Sequence, residues 1–349
     1  MAAQTLTTTL DRLRKTGIVN LIGLALLALV GIWLVVNFAK DPTEFINVAL
    51  IGLTNGTIYG LVALGYTLIY GILQLINFAH GDVFALSGLV ASTMIVSWLG
   101  LDKDASVIAI LGGMLLTLVV IMAVFAFVNV TIEFVAYRRL RSAPRLAALI
   151  TAVGMSFIVQ NVSLAMYDVN YRSVPSFIPR SNAFEIAGIG YSWNKLAVVV
   201  ITLPVLALLT WFVTSTKQGK AMRAVAQDTE ASAMMGINVN RTISITFAIA
   251  GALAGSAAIV YLLQFNMRYD TGFELGLIAF TAAVLGGIGN LAGAVLGALL
   301  IGFIQAFNEG LEWHAPGSDW TRSIVFGILI LILVFRPEGL LGEQTPEGA

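Results

Sequence analysis

The chain has 349 residues, of which 58% are hydrophobic and only 11% are charged. Soluble domains carry about 25% charged residues, so the composition excludes an ordinary soluble protein and indicates a membrane protein. The 19 basic and 19 acidic residues cancel, and the chain has no cysteine, so the basic footprint of a nucleic-acid-binding protein, disulfides and thiol chemistry are all excluded.

Long apolar segments recur along the chain and predict an all-α fold, a polytopic helical membrane protein. Several exceed 18 residues, which is enough to cross about 30 Å of hydrocarbon, whereas strands of a β-barrel would alternate over segments of about 10 residues. In chain order the segments are 18–38, 45–72, 76–99, 105–137, 146–167, 195–214, 243–264, 275–307 and 321–336. Segment 105–137 is too long for a perpendicular span and is expected to tilt or protrude.

Segment 275–307 is too long for one helix and contains Gly286, Gly287 and Gly289. We therefore interpret it as two half-helices around a break. About eight full spans plus broken or re-entrant helices are expected, and ten crossings satisfy the charge pattern equally well.

Basic residues fall at every second connection, as the positive-inside rule expects of cytoplasmic loops. They are Arg12, Arg14 and Lys15; Arg138, Arg139, Arg141 and Arg145; the insert 217–241; and Arg336. The largest loop on the opposite side, 168–194, is expected to be external, and its prolines argue against a regular helix. This pattern predicts a cytoplasmic leader (1–17), a transmembrane domain (18–336) and a cytoplasmic tail (337–349), with both termini in the cytoplasm and the first span retained.

Polar residues interrupt the apolar pattern at 74–82, where Asn77, His80 and Asp82 lie close together. Unpaired polar groups are costly at membrane depth, so we interpret this stretch as a helix break that lines a translocation path. The alternative is an interfacial turn in which Asn77 or Asp82 caps the next helix. A metal at His80 is not expected, because the other histidine, His314, lies far along the sequence.

Residues 76–88 and 289–298 share a pattern in which an Asn precedes a glycine-punctuated helix start. Duplicated halves that each contain a broken helix are common in transporters, so the pattern favours an internal duplication of undetermined orientation. Small residues at four-residue spacing predict close helix packing; they are Gly52, Gly56 and Gly60, then Gly251 and Gly255, then Gly289, Gly293 and Gly297.

An energy source is missing from the sequence itself. It has no phosphate-binding G-x-x-x-x-G-K-[ST] motif, and Glu133 and Glu274, the carboxylates nearest to segment interiors, lie close to segment ends. Ion-coupled carriers usually hold ionisable groups mid-membrane, and no catalytic pattern supports an enzyme. A permease driven by another chain is therefore predicted, with an ion-coupled carrier or channel as the alternative.

The insert 217–241 is the main polar interruption and should bind a soluble partner. Ala221, Met222, Val225 and Ala226 repeat at helical spacing, which predicts a short helix on the cytoplasmic side.

Five stretches stand out together: Asn55–Asp82, Ala147–Asn161, Gly219–Arg241, Phe280–Gly302 and the ending FRPEGLLG at Phe335–Gly342. They resemble the membrane permeases of branched-chain amino acid ABC importers, specifically the H-type subunit. The resemblance extends from about residue 45 to residue 342.

The insert also resembles the ABC-importer coupling pattern E-A-A-x-x-x-G, with Ser232 in place of the second alanine. The resemblance implies that a helix over 221–238 seats on a soluble ATPase. The residues implied in coupling are Glu230, Ala231, Ser232, Gly236, Ile237 and Asn238.

The resemblance implies a permease subunit, not an enzyme, that moves branched-chain amino acids across a bacterial cytoplasmic membrane by alternating access. It implies two ATP-binding subunits, a second related permease and an external substrate-binding protein as partners, with ATP and Mg on the partner subunits and no cofactor on this chain. The candidate path residues are Tyr66, Asn77, His80, Asp82, Thr281 and Asn290. A permease for urea, a sugar or another small polar solute is the alternative within the same family.

Overall fold

A computed structural model describes residues 23–141, 143–179, 181–336 and 338–342. The predicted leader 1–17, with its basic residues Arg12, Arg14 and Lys15, lies outside the described residues. So do the first five residues of the first predicted span, and all of the predicted tail except 338–342.

The described part consists of twelve α-helices and one β-hairpin. The helices are α1 Gly23–Lys40, α2 Pro42–Leu73, α3 Ala79–Thr93, α4 Val107–Ile132, α5 Arg145–Tyr167, α6 Trp193–Ser215, α7 Lys217–Gln227, α8 Thr229–Met234, α9 Val239–Leu262, α10 Thr271–Gly286, α11 Leu291–Gly310 and α12 Thr321–Phe335. Two helices continue as π-helical turns, α3 over Met94–Trp98 and α4 over Glu133–Tyr137. A 3-10 turn at Arg138–Leu140 follows the second of these, and another at Ser318–Trp320 precedes α12. The strands are β1 Asn182–Ile186 and β2 Ile189–Ser192.

The predicted polytopic helical membrane fold is confirmed. Among the described residues, nine helices are long and apolar enough to cross a membrane, and α10 is a shorter apolar helix. The predicted break in segment 275–307 is confirmed too, since α10 ends at Gly286 and α11 begins at Leu291. The continuous helix Val107–Leu140 has 34 residues, about 51 Å at 1.5 Å per residue, and so exceeds the hydrocarbon thickness as expected.

Helix α2 forms the centre of the molecule. Its start is fixed by Asp41, whose side chain accepts from the Glu44 N–H (2.9 Å), and by Pro42 in the first turn. Its central residues are buried between α9, α10 and α11. A Cβ on Gly302 of α11 would lie 2.4 Å from the Gly56 nitrogen, so the two backbones are in direct contact.

The predicted close packing is confirmed for Gly52 and Gly56, which approach α11. It is also confirmed for Gly293 and Gly297, which approach α10, and for Gly251 and Gly255, which approach α4.

Gly289 does not share that packing. It lies in the connection between α10 and α11 with a φ of +94°, and no atom of the described residues lies within 4 Å of the position its Cβ would take. Its assignment to a helix face is wrong, because the chain turns in the left-handed region here instead of continuing as a helix.

The outer helices α1, α4, α5 and α12 expose many of their apolar side chains. Leu27 in α1 is 72% exposed, Ile108 in α4 is 85% exposed and Leu146 in α5 is 66% exposed. In water such a surface would drive aggregation, whereas in a bilayer it faces acyl chains or another membrane subunit. The layering is therefore that of a bundle with α2, α3 and α9 inside.

The loop 168–194 contains a hairpin that the sequence reading did not predict. Strands β1 and β2 pair antiparallel, with Ile186 opposite Ile189. The two loop residues Ala187 and Gly188 both have positive φ, as a type I′ turn requires. Asn47 of α2 fixes the hairpin, because its side chain contacts the Gly188 oxygen (3.3 Å) and the Gly190 nitrogen (3.1 Å).

Contacts between connections separate them into two sets that match the sides predicted from charge. On the predicted external side the contacts are Asn47 with Gly188, Arg172 with Met267, and Arg322 with Glu274; on the predicted cytoplasmic side they are Arg141 with Asn240 and Asn290 with Leu341. Which set faces the cytoplasm stays a prediction from the charges.

Candidate functional site: an exposed turn and a buried polar cluster

The insert between α6 and α9 is two helices. Thr216 caps α7 by accepting from the Gly219 N–H (3.0 Å), and Met222 and Val225 of α7 are buried in the core. At Asp228 the backbone is extended, with φ −152°, and its side chain accepts from the Ala231 N–H (2.8 Å) to begin α8. The predicted single helix over 221–238 is therefore wrong, because an N-cap residue needs a non-helical backbone.

Helix α8 ends in a Schellman motif centred on Gly236. The Gly236 N–H donates to the Ala233 oxygen and the Ile237 N–H donates to the Ser232 oxygen, both at 3.0 Å, while Gly236 has a φ of +83°. Asn238 then caps α9 by accepting from the Arg241 N–H at 3.0 Å. Helix, turn and helix are thus joined with most of their terminal backbone groups satisfied.

This turn projects from the molecule. Glu230, Gly236 and Asn238 are exposed, Ala231 and Ile237 are half-buried, and Ser232 is buried under the turn. Met234 and Met235 beside it are 82% and 83% exposed. A rigid knob with two apolar side chains at its tip is suited to insertion into a groove on a soluble protein.

The second region is the break between α2 and α3. Helix α2 ends at Leu73, Gln74 is left-handed with φ +52°, and α3 begins at Ala79 without a side-chain cap. Neither Asn77 nor Asp82 caps α3, so the capping alternative is wrong.

Both side chains bind other helices instead. Asn77 Oδ1 accepts from the Tyr137 hydroxyl on the π-helical turn of α4 (2.8 Å), and Asp82 accepts from the Ser156 hydroxyl on α5. Buried polar groups require such partners. The break is therefore held from two directions by helices distant in sequence.

His80 and Tyr66 complete the cluster. His80 is fully buried, with its ring centroid 4.9 Å from that of Tyr66 in an edge-to-face arrangement. The Tyr66 hydroxyl accepts from the Gly81 N–H (3.2 Å). A Cβ on Gly65 would lie 2.1 Å from His80 Nε2, so the imidazole occupies the space that this glycine leaves open.

Several polar atoms of the cluster are buried without a hydrogen-bond partner among the described residues. They are both ring nitrogens of His80, Nδ2 of Asn77 and Oδ1 of Asp82. Such atoms are costly to leave unpaired. Together they supply donors and acceptors that a polar solute could bind if the packing opened.

Two predicted path residues make no hydrogen bond to this cluster within the described part of the chain. Thr281 is buried on α10, where its hydroxyl donates to the Leu277 oxygen (2.9 Å). Asn290 caps α11 by accepting from the Gly293 N–H (3.0 Å) and donates to the Leu341 oxygen (2.8 Å). Asn77 and Asn290, which suggested a duplication, thus make different interactions.

Tyr137 and Ser156 belong to the cluster but were not among the predicted site residues. Ser156 is a polar residue in an apolar span, a signal that could have identified it. Tyr137 precedes a run of arginines and looked like an ordinary interfacial aromatic residue, so nothing in its sequence context distinguished it.

Comparison with known proteins shows which family this chain resembles. The family described as "Branched-chain amino acid transport system / permease component" matches residues 48–334. The high-affinity branched-chain amino acid transport system permease protein BraD of Pseudomonas aeruginosa is 38% identical over 300 residues, which cover 85% of this chain and 95% of that protein.

Two further relatives come from Escherichia coli K12. The high-affinity branched-chain amino acid transport system permease protein LivH is 33% identical over 304 residues, with 85% of this chain and 95% of that protein covered. The ribose import permease protein RbsC is 25% identical over 288 residues, with 80% and 81% covered.

Proposed function

The chain belongs to the permease family of branched-chain amino acid transport systems, and we propose that it is the membrane-spanning subunit of an ATP-driven importer of branched-chain amino acids. The observation that carries the proposal is the exposed turn between α8 and α9, a structured knob in a chain of this family that has no ATP-binding motif of its own. Energy must then enter through a separate protein that binds this knob.

The relatives support aliphatic amino acids as the substrate class. The two relatives named for branched-chain amino acids are 38% and 33% identical to this chain, whereas the ribose permease is 25% identical. A permease for a sugar, for urea or for another small polar solute is the less favoured reading.

The proposed complex contains two ATP-binding subunits, a second related permease and an external substrate-binding protein in a bacterial cytoplasmic membrane, with both termini of this chain in the cytoplasm. An amide on the outer surface of α5 supports the second permease. Asn161 is exposed within this apolar span, and among the described residues its Nδ2 donates only to the Phe157 oxygen (2.8 Å). Polar side chains on spanning helices commonly bind a neighbouring helix.

The proposed mechanism is alternating access. Closure of the ATP-binding subunits would move the turn at Glu230–Asn238, and this movement would open the path near Tyr66, Asn77, His80 and Asp82 to one side at a time. Thr281 and Asn290 would line its continuation toward α10 and α11.

The test is transport by the complex purified through an affinity tag on this chain and reconstituted in liposomes. We expect uptake of labelled leucine, isoleucine and valine that requires both ATP and the binding protein, with unlabelled ribose and urea failing to compete. Uptake by this chain alone, driven by an ion gradient, would contradict the proposal.

A further inference from the structure

A buried carboxylate lies where α4 turns into its π-helical segment. Glu133 is 0% exposed, and its carboxylate accepts from Arg138 Nη2 (2.8 Å), from Arg141 and from the Ser244 hydroxyl (2.9 Å). A charge removed from water needs such partners. In the sequence Glu133 is only a carboxylate near a segment end. The mechanism proposed above gives this cluster no role.

The same cluster holds the beginning of α9. Arg138 Nη2 also donates to the Ser244 hydroxyl (2.8 Å), and Arg141 Nη1 donates to Asn240 Oδ1 (2.6 Å). Asn240 and Ser244 lie in the first two turns of α9, directly after the turn that ends at Asn238. A displacement of that turn therefore reaches the guanidinium groups within a few residues.

Further along, α4 and α9 are joined inside the membrane. Asn129 is fully buried and its Nδ2 donates to the Phe247 oxygen of α9 (2.7 Å). Two helices joined both by the ionic cluster and by this buried hydrogen bond should move together and not slide past one another.

The π-helical turn also contacts the candidate path. Tyr137, four residues after Glu133, is fully buried, and its hydroxyl donates to Asn77 Oδ1 in the α2–α3 break (2.8 Å). π-Helical turns inside α-helices frequently mark functional sites. In this one, Glu133 at the beginning is linked to the start of α9 beside the exposed turn, and Tyr137 at the end binds the buried polar cluster.

We propose that the π-helical turn Glu133–Tyr137 transmits movement of the exposed turn to the α2–α3 break, with Glu133 and Tyr137 as positioning residues. The proposal rests on the proposed function, because it assigns one end to ATPase coupling and the other end to the solute path. Neither side chain is required to touch the solute. Contiguous contacts become evidence of coupling only when both ends respond to one change, so the experiment measures both.

The experiment compares Glu133→Gln, Ser244→Ala and Tyr137→Phe with the wild type in the reconstituted complex, recording leucine uptake and ATP hydrolysis together. Glu133→Gln removes the charge that holds both arginines, and we expect the number of leucines imported per ATP to fall at least tenfold while ATP hydrolysis continues. Tyr137→Phe and Ser244→Ala each remove one hydroxyl and should lower the same ratio several-fold. Glu133→Asp keeps the charge and should restore part of it.

Glu274→Gln is the matched control. It removes the Arg322–Glu274 ion pair (2.9 Å) on the predicted external side, where the two side chains are 71% and 47% exposed, and should leave the ratio unchanged. The proposal is overturned if uptake and hydrolysis fall in equal proportion in the three test variants, or if all of them transport like the wild type. If Glu133→Gln does not assemble, the two hydroxyl deletions decide the question. A wild-type complex that lacks ATP-dependent uptake would instead refute the proposed function.

Discussion

At the residue scale, the α2–α3 break is built from side chains that are partly paired. Asp82 has one oxygen bound by Ser156 and the other unpartnered within the described part of the chain, and Asn77 likewise uses its oxygen but not its amide nitrogen. A fully satisfied network would lock this region, whereas an apolar one would offer a polar solute nothing. The break therefore combines a defined resting geometry with unused hydrogen-bonding capacity.

Ser156→Ala should destabilise the protein by about 1–3 kcal/mol, because it leaves the buried Asp82 carboxyl without its partner. Thermal unfolding of the purified chain in detergent measures the change. Ser163→Ala is the control on the same helix, since the Ser163 hydroxyl is equally buried but donates only to the Val159 oxygen of its own helix (2.9 Å). Equal stability losses in the two variants would contradict the pairing.

Gly65→Ala should displace His80, because its Cβ would lie 2.1 Å from Nε2. Overpacking of this kind costs about 1–3 kcal/mol. The same unfolding assay on Gly65→Ala, His80→Ala and the double variant tests the contact, since removing the imidazole makes room for the methyl group. Additive losses in the double variant would exclude the clash.

At the element scale, the insert between α6 and α9 divides into a buried part and a projecting part. Helix α7 packs Met222 and Val225 into the core, while α8 and its turn extend into solvent. Because Asp228 and Asn238 cap successive helices, the projecting part has a fixed shape. A displacement of its tip is therefore passed on to α9.

Gly236→Ala should destabilise the turn by about 1–2 kcal/mol, since φ of +83° is unfavourable for a residue with a Cβ. The cost is purely conformational, because no described residue lies within 4 Å of the added atom. Gly236→Asn should recover part of the loss, as asparagine tolerates this conformation. Gly112→Ala in α4, also without neighbours, is the control and should be neutral or stabilising.

A further change at this position tests coupling. Gly236→Glu should leave the chain inserted in the membrane but abolish ATP-driven uptake, because it adds charge and strain to the tip of the knob. Uptake equal to that of the wild type would exclude a docking role for the turn.

The elements were largely predictable from the sequence, and their partners were not. Long apolar runs and the glycines at 286–289 predicted the spans and the α10–α11 break, because membrane depth demands both length and apolar composition. The sequence predicts a helix that includes Asp228, since a cap and a helical residue look alike without the backbone angles. It does not predict the hairpin at 182–192, because short exposed strands leave little periodic signal.

At the scale of the whole molecule, the C-terminal segment binds back onto the break between α10 and α11. The Leu340 N–H donates to the Leu285 oxygen (2.8 Å) and the Leu341 N–H donates to the Gly286 oxygen (2.9 Å). These carbonyls at the end of α10 have no partner within their own helix. Asn290, predicted only from its place beside the break, completes the contact through the Leu341 oxygen.

Ending the chain at Arg336 should destabilise it by roughly 3 kcal/mol, the net contribution of these three hydrogen bonds. Unfolding of the shortened chain in detergent checks the value. A chain that ends at Gly342 keeps these contacts and should be more stable than the one that ends at Arg336 by this amount, so equal stability of the two truncated chains would exclude a stabilising role for 338–342.

Met234 and Met235 stand almost fully exposed at the tip of the turn, and this has a practical consequence. Thioethers in contact with solvent are readily oxidised to sulfoxides, whereas those enclosed by another protein are protected. Mild peroxide should therefore oxidise this pair in the isolated subunit and leave it unmodified once an ATP-binding partner covers the turn. The extent of oxidation of Met234 and Met235, measured by mass spectrometry, would then report assembly of the complex.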